Sequence, residues 1–577
     1  MSELSDQTRG IIFVVIALAI LFIWSHFFSP PLPPPPKGSQ APQAVAPAHT
    51  ATPQSAQTTA LPAAAPVTSH TAPPMRATAE RIIVVESPLY RVELSNRGGV
   101  VRSWKLKKYL NDQKPPSPLD LVNQESSKEL GWPFSLMLTE TQLESQANSE
   151  LYQVSITRAG EPYPADQAQF QAPVSVSFHF SDGHFEVTKK LNFNQDYQLT
   201  VEASLSLDGK LLPAAIAWRG GFGDKEVYRA SQLVTVFYDQ GGRLNLLQYK
   251  KLGVSGNQSQ PALQAGPLGY SGIEDQFFAA AMIANGMPDL SAWHWTQNRN
   301  VTVDGKQDSE PVAEMAAGTG QPTPLRMRVY VGPKDLALLG RVQPSLEGLV
   351  NFGWTGVIAK PLLFILQWLY HYLPNYGWVI IVLTLIINFA LFPLKMKSWR
   401  SMQRMQKVAP EIRSIQDRYK KYSMSDPRKR QMNEEVMAVY QREGINPMGS
   451  CLPMLVQMPI WWALWRVLTG AIELRHAPWM LWIHDLSAKD PYYILPIAMA
   501  ITMYLMTKMT PQTTVDPAQQ KMMGLMPLMF AAFFFTLSSG LNLYMFTSNL
   551  IGVAQQSYLN RTQPLPTRSK FKKKKGE

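Results

Sequence analysis

The chain has 577 residues, 45% of them hydrophobic, with a formal net charge of +12 and a mean hydropathy slightly below zero. Its single cysteine, Cys451, excludes an intramolecular disulfide, so a soluble part must be held by its own packed core. The average conceals two regions: roughly 80–345 is polar and strand-like, roughly 356–558 is apolar and helical, and much of the positive excess follows residue 394. Basic blocks beside apolar spans point to the cytoplasmic side of a membrane or to RNA, and nothing in the chain points to DNA.

The N-terminal stretch Ile11 to Phe28 is apolar over 18 residues except for Ser25-His26, just long enough to cross a bilayer. A cleaved signal peptide is the alternative. Its first region would be basic, whereas Glu3, Asp6 and Arg9 lie here, and Ser29-Pro-Pro follows in place of a small-residue cleavage site. Residues 1–28 are therefore expected to be an uncleaved anchor. Residues 29–79, rich in Pro, Ala, Gln and Thr, are an extended linker that cannot bury a core.

From residue 80 the pattern alternates. Ile82–Val85, Tyr90–Leu94, Val174–Phe180, Phe185–Val187 and Leu199–Leu205 read as half-buried antiparallel strands, bounded by turns such as Asn96–Gly99 and Ser181–Gly183. A large β-sandwich over 80–345 is expected. His179, Asp182 and His184 sit on one predicted hairpin, where a metal site and ordinary turn residues are both readable, and the turn reading is preferred. The chain shows no catalytic triad spacing, paired-carboxylate motif or phosphate-binding loop, so no enzyme activity, metal or cofactor is expected.

Residues 356–372 carry leucines with Trp368, Lys360, Gln367 and His371, the make-up of a helix lying in the interface. Spans are expected over 376–394, 452–469, 493–506, 525–537 and 541–558. With the anchor these make a six-span bundle. Lys395 to Pro447 holds 13 Lys/Arg against 6 Asp/Glu, and the tail 559–577 is basic. The loop 471–491 has two basic residues and three acidic ones. The positive-inside rule then puts the basic segments in the cytoplasm and the strand domain outside. Within 395–447, Met402, Met405, Val408, Ile412, Ile415, Tyr419 and Tyr422 recur every three or four residues. Met432, Val436, Val439 and Tyr440 repeat this after Ser425-Asp-Pro427. This predicts an antiparallel helical hairpin with an apolar seam. Its basic residues are a solvated face, a site for anionic lipids or a docking arm.

Asn446 to Ile460 is a Pro-punctuated, Met-rich entry into an apolar helix. Prolines at 453 and 459 are tolerable in a span only where neighbours or water satisfy the freed backbone groups, which implies a bundle with a polar interior. Met454, Met458, Met503 and Met506 are adaptable wall residues or ordinary packing.

Asn446-Pro-Met-Gly449, Gln457-Met-Pro-Ile460, Glu473 to Pro478, Leu481 to Pro496 and Asp516 to Lys521, with Tyr330-Val-Gly-Pro333 upstream, together resemble the YidC/Oxa/Alb family of membrane-protein insertases in its long form. The resemblance implies a periplasmic β-supersandwich and a five-span core with a hydrophilic groove. It also implies an inner-membrane insertase and chaperone acting on nascent membrane proteins, alone or with the Sec translocon. The implied groove and client contacts are Thr384, Asn388, Met458, Trp461 and Tyr544, with Arg466. The implied docking arm is Lys407, Arg413, Arg418 and Lys420. The basic tail Lys570–Lys575 is a ribosomal RNA contact or an anionic-lipid anchor.

One position departs from the family pattern. The family carries an arginine five residues before the proline that precedes the basic arm, and here Asn388 stands before Pro393. Arg466 is a candidate replacement, but it lies roughly 21 Å from Leu452 along its helix, while Asn388 lies about 9 Å from Leu394. Snorkelling to the outer interface is the preferred reading of Arg466. Asn542, Thr547, Ser548, Asn549 and Gln555 make the last span polar. A groove working by polarity, without a fixed cation, is therefore expected. The alternatives are a transporter or channel with an outer receptor domain, for which an internal repeat is missing, and a sugar-active enzyme, for which carboxylates are missing.

Overall fold

The computed structural model describes residues 73–562 apart from 164–166, 225–232, 249–251, 253–260, 288, 304–305, 423–425, 446–451 and 510–532. The N-terminal anchor, most of the linker, most of the expected span 525–537 and the basic tail lie outside the described residues.

The described strands form three sheets. Ile82–Glu86, Tyr90–Ser95 and Val100–Leu110 belong to one of five strands; Val174–Ser181, Phe185–Phe193 and Gln198–Leu207 form an antiparallel meander within one of eleven. Leu290–Val303 and Lys306–Thr319 are the long hairpin of the third. The alternation read in the sequence holds: Val174, Val176, Phe178 and Phe180 point inward, with polar residues between them. The sheets meet through aromatic side chains. Trp104 and Tyr90 from the first sheet each lie 6.3 Å from Phe193 of the second, and Phe134 links Trp104 to Trp218 of the third.

Two turns show why the strands end where they do. Gly98 has a φ of +70°, and a Cβ there would stand 2.5 Å from the Asn148 carbonyl oxygen, so this corner requires glycine. At the 181–183 turn, the Asp182 carboxylate accepts the backbone N–H groups of His184 (2.9 Å) and Phe185 (2.7 Å). His184 pairs with Asp208 at 2.7 Å, and His179 faces Thr188.

Lys189 breaks the apolar inward face of its strand. It is fully buried, and its Nζ donates to the carbonyls of Gly98, Gly99 and Phe134 at 2.8–3.0 Å. One ammonium thus satisfies three backbone acceptors where two turns converge.

Among the described residues six helices of at least 16 residues follow: α1 Gly356–Tyr372, α2 Tyr376–Arg418, α3 Pro427–Arg442, α4 Leu452–Gly470, α5 Ile494–Met509 and α6 Ser539–Thr562. Helix α1 buries Ala359, Leu362, Leu363, Leu366 and Leu369, and exposes Val357, Phe364, Trp368 and Tyr372. Asn375 starts α2: its side chain accepts from Gly377 and Trp378 N–H and donates to the Trp479 carbonyl. Helix α2 runs for 43 residues without a break at Leu394, about 64 Å at 1.5 Å per residue. The expected span and the first arm of the basic hairpin are therefore one helix. Against its far end α3 packs Val439, partly buried Val436 and Tyr440 onto Val408, Ile412 and Ile415. Among the described residues α2 alone is long and apolar enough to cross a membrane by composition, and α5 is a shorter apolar helix. The finer six-span count thus stays with the sequence.

The strand domain docks on the loop between α4 and α5. Arg475 from that loop meets Asp224 at 2.6 Å, each side chain only 3% exposed. The Asp224 N–H is bound in turn by Asp275, which also caps Phe277 and Phe278, and Gln276 donates to the Thr469 carbonyl. Burial pushes the Asp275 and Glu274 carboxyls up, while Lys334, 3.0 Å from Glu274, acts in the opposite direction on both.

Two stability effects follow. Arg475→Ala leaves Asp224 buried without its cation, and should cost about 3–5 kcal/mol at this junction; new protease cleavage between the strand domain and the helices would register it. Lys189→Met strips three buried carbonyls of their donor and should cost about 3 kcal/mol, read as a lowered thermal midpoint of the full-length protein with its helical signal retained.

A polar seam between two parallel helices

The sequence-predicted residues Thr384 and Asn388 fall on α2 and are buried, at 0% and 1% exposure. The Thr384 hydroxyl donates back to the Ile380 carbonyl at 2.6 Å, satisfying itself within its own helix. Asn388 reaches further. Its Nδ2 donates to the Thr384 carbonyl (2.9 Å) and to Ser548 Oγ on α6 (3.3 Å). Its Oδ1 accepts from Lys395 Nζ at 2.8 Å, and the same ammonium donates to Gln555 Oε1 at 3.2 Å. Gln555 closes the circuit by donating to the Asn388 carbonyl at 3.4 Å.

These contacts define a register. Asn388 pairs with Ser548 and Lys395 with Gln555, both at a separation of 160 residues, so α2 and α6 run parallel. Both stripes follow the spacing i, i+4, i+11: Thr384, Asn388, Lys395 on one helix and Tyr544, Ser548, Gln555 on the other. Eleven residues are close to three helical turns, so each stripe stays on one face over roughly 16 Å.

Helix α4 closes the upper part of this seam. Gln457 Nε2 donates to the buried Tyr544 hydroxyl at 3.1 Å, and Trp461 Nε1 lies 3.1 Å from Met545 Sδ. Trp461, Trp462 and Trp465 form an aromatic cluster with ring centroids 5.0–5.4 Å apart, Trp462 stacked on Trp465 and Trp461 edge-on to Trp462. Trp461 and Met458 are half-buried, and Arg466 is exposed on α4 away from the seam. The side chain of Met454 lies outside the described residues. On α5, Met506 Sδ lies 3.1 Å from the place a Cβ on Gly552 would occupy, so this glycine lets α5 and α6 approach closely. Asp490 caps α5 by accepting from Leu495 N–H at 2.7 Å and also holds Trp482 Nε1 at 3.0 Å.

The docking-arm residues Lys407, Arg413 and Arg418 are exposed on the far part of α2, and Lys420 is exposed in the turn that follows it. Arg418 is neutralised by Glu435 across the hairpin at 2.6 Å, as Arg442 is by Glu411 at 2.7 Å.

Residues 82–365 match the YidC periplasmic domain family model, and 368–566 match the 60Kd inner membrane protein family model. The membrane protein insertase YidC of Methylobacillus flagellatus is 32% identical over 573 residues, covering 99% of each chain. That of Wolinella succinogenes is 32% identical over 584 residues, covering 100% of this chain and 98% of the relative. The chain belongs to the YidC family. A crystal structure of an active YidC insertase with its first transmembrane domain resolved covers 84% of this chain and 94% of its own, at 20% identity and a TM-score of 0.34.

Within this YidC-family chain, sequence reading passed over two members of the seam. Gln457 stood only as part of a motif, and Lys395 only as the first cation of the basic arm. The available signal was spacing: Lys395 is seven residues beyond Asn388, two turns along the same face.

The two buried residues separate by what they hold together. Asn388→Leu removes the acceptor for Lys395 and the donor to Ser548, and should destabilise the helical part by about 1–3 kcal/mol. Thr384→Val loses a bond internal to its own helix and should cost less than about 1 kcal/mol. Thermal unfolding of the two purified variants in detergent gives the order; equal losses would contradict it.

Proposed function

We propose that this chain is a membrane protein insertase and chaperone of the inner membrane, which moves polar parts of nascent membrane proteins across the bilayer along the α2–α6 seam. The observation that carries the reading is a polar stripe, Thr384–Asn388–Lys395 on α2 and Tyr544–Ser548–Gln555 on α6, whose members are all buried or half-buried and are joined across the two helices by hydrogen bonds at Asn388, Lys395 and Gln555.

A translocated segment must carry its polar backbone and side chains through ~30 Å of hydrocarbon. A polar seam of roughly 16 Å shortens the apolar part of that path by about half. The apolar segment that follows then enters lipid, and the removal of its surface from water drives the step. This is binding and solvation chemistry, needing neither a nucleotide nor a reacting group. Half-buried Met458 and Trp461 offer an adaptable apolar wall beside the polar face. The exposed aromatics of α1 suit the headgroup level.

The orientation follows from charge. The 13 Lys/Arg of 395–447 and the tail after Leu559 belong to the cytoplasm, with the strand domain in the periplasm. The anchor and the four further spans complete the six-span bundle. Exposed Lys407, Arg413 and Lys420 offer cations to a partner or to anionic lipid, and Lys570–Lys575 offer them to lipid or to a ribosome. Cooperation with a Sec translocon accords with the family.

Photocrosslinkers at Met458, Trp461 and Gln555 should form adducts with a stalled nascent membrane protein, because these side chains, beside or within the seam, are only half-buried. Adducts from Thr384 would in addition mean that α2 and α6 part during insertion. An active protein giving no adduct from Met458, Trp461 and Gln555 would place the client path elsewhere.

A further inference from the structure

The loop between α4 and α5 has a polar stretch and an apolar one. The polar stretch is taken up by the strand domain: Arg475 meets Asp224 at 2.6 Å and His476 meets Asp112 at 2.7 Å. Immediately after them, residues 477–483 read Ala-Pro-Trp-Met-Leu-Trp-Ile and carry no charge. They close a tight turn, in which the Ile483 N–H donates to the Met480 carbonyl at 3.2 Å and the Trp479 N–H to the Ile483 carbonyl at 3.0 Å. Met480 and Leu481 form its tip, and Leu481 is 71% exposed.

Water gives no reason for this leucine. Its φ of +56° lies in the left-handed region, where Cβ crowds the following carbonyl and glycine or asparagine sits more easily. A leucine there carries a backbone cost, and in water it also forgoes the gain of burying its side chain. Tyr493 repeats the pattern, exposed with a φ of +55°. The two tips are joined: Asp490 accepts the Trp482 indole N–H and the Tyr492 backbone N–H, both at 3.0 Å.

What covers the tips follows from where the turn is fastened. Asn375 Nδ2 donates to the Trp479 carbonyl at 3.1 Å, and the Trp378 and Trp479 rings lie 6.0 Å apart. The Trp479 ring rests on Gly377, where a Cβ would come within 2.1 Å of it. The turn therefore stands beside the first turn of α2, a helix long and apolar enough to cross a membrane. The basic arm lies at the opposite end of α2, so this end is the outer one. Trp378 is itself exposed, as are Phe364, Trp368 and Tyr372 of α1, and Gln367 of α1 donates to Glu473 of the same loop at 2.5 Å.

We propose that the Met480–Leu481 turn, with Tyr492 and Tyr493, is a wedge seated among the acyl chains of the outer leaflet. It joins α1 as a second interfacial element. It also gives the loop that carries Arg475 a fixed depth, and so holds the strand domain at one height over the membrane. The inference rests on the reading of α2 as a span with its basic arm in the cytoplasm.

The test uses the full-length chain in phospholipid vesicles, with Cys451→Ser and one new cysteine carrying an environment-sensitive fluorophore. Three sites are compared: Leu481→Cys, Leu263→Cys on an edge strand of the third sheet, where a leucine is also exposed, and Ile386→Cys in the apolar part of α2. The label at 481 should emit to the blue of that at 263 and resist iodide in the outer water. Lipids brominated high on their chains should quench it, since interfacial elements sit about 5–10 Å into the headgroup–acyl boundary. Asparagine accepts the left-handed turn, so Leu481→Asn should keep the thermal midpoint while a label at Met480→Cys loses its lipid quenching and shifts to the red. Quenching of the 481 label by iodide as readily as at 263 would overturn the inference, as would undiminished lipid quenching at 480 in Leu481→Asn. A label at 481 reached by neither iodide nor lipid bromine would also overturn it, assigning the tip to a protein partner or a second copy. A label at 386 that lipid bromine fails to quench would instead strike the reading of α2 as a span.

Discussion

A polar side chain taken out of water into a packed apolar interior is costly unless it is hydrogen-bonded, and the helical half of this protein is arranged around that constraint. Asn388 is buried and offers two donors and an acceptor; α6 supplies Ser548 and Gln555, and α2 itself supplies Lys395. The match fixes the register of two parallel helices more sharply than apolar packing would, because a slip of one residue would leave several buried groups unpaired at once. The same matching makes the seam polar and the bundle stable. Asn388 stands at the centre of these bonds, so a substitution there breaks contacts to both helices.

The strand domain uses the opposite device. Its core is aromatic and aliphatic, with Trp104, Phe134, Phe193 and Trp218 joining three sheets, and buried polar groups such as Lys189 and Glu314 are held by hydrogen bonds to backbone and side-chain partners. Its junction with the helices returns to paired polarity. The Arg475–Asp224 contact removes two charges from water, and such a pair specifies a single docked arrangement more than it adds net stability. The loop carrying Arg475 also caps α5 through Asp490 and receives the start of α6, where Ser539 N–H and Gly540 N–H donate to Ala488 and Leu486. The domain therefore rests on the segment that orders the ends of α4, α5 and α6.

Much of this was legible in the sequence because two periodicities carry it. Period-two alternation marked strands such as Val174–Ser181 and Phe185–Phe193, and three- and four-residue spacing marked the hairpin seam, where Val408, Ile412, Ile415 and Val439 are buried. Amphipathic spacing likewise marked the residues of α1. Lys189 was not marked, since a lysine among alternating apolar residues reads as an outward residue until the turns that need its donor are brought to it. Lys395 was not marked as a seam residue: standing first in a run of cations, it shared the readings of that arm as a solvated face, a lipid site or a docking arm, and the break expected after Leu394 lies within one helix.

The sequence by itself determined the division into a strand-rich and a helical part, the polarity of the last helix, the sign of charge on each flank of the spans, and the family, because each depends on composition or local spacing along one chain. The tertiary structure alone decided which polar residues meet. Asn388 and Gln555 stand 167 residues apart, and no local pattern states that α2 and α6 lie side by side in parallel. That pairing turns an asparagine, a glutamine and a lysine into one hydrogen-bonded seam, since the partner of a buried polar group is set by packing in space and not by its neighbours in sequence.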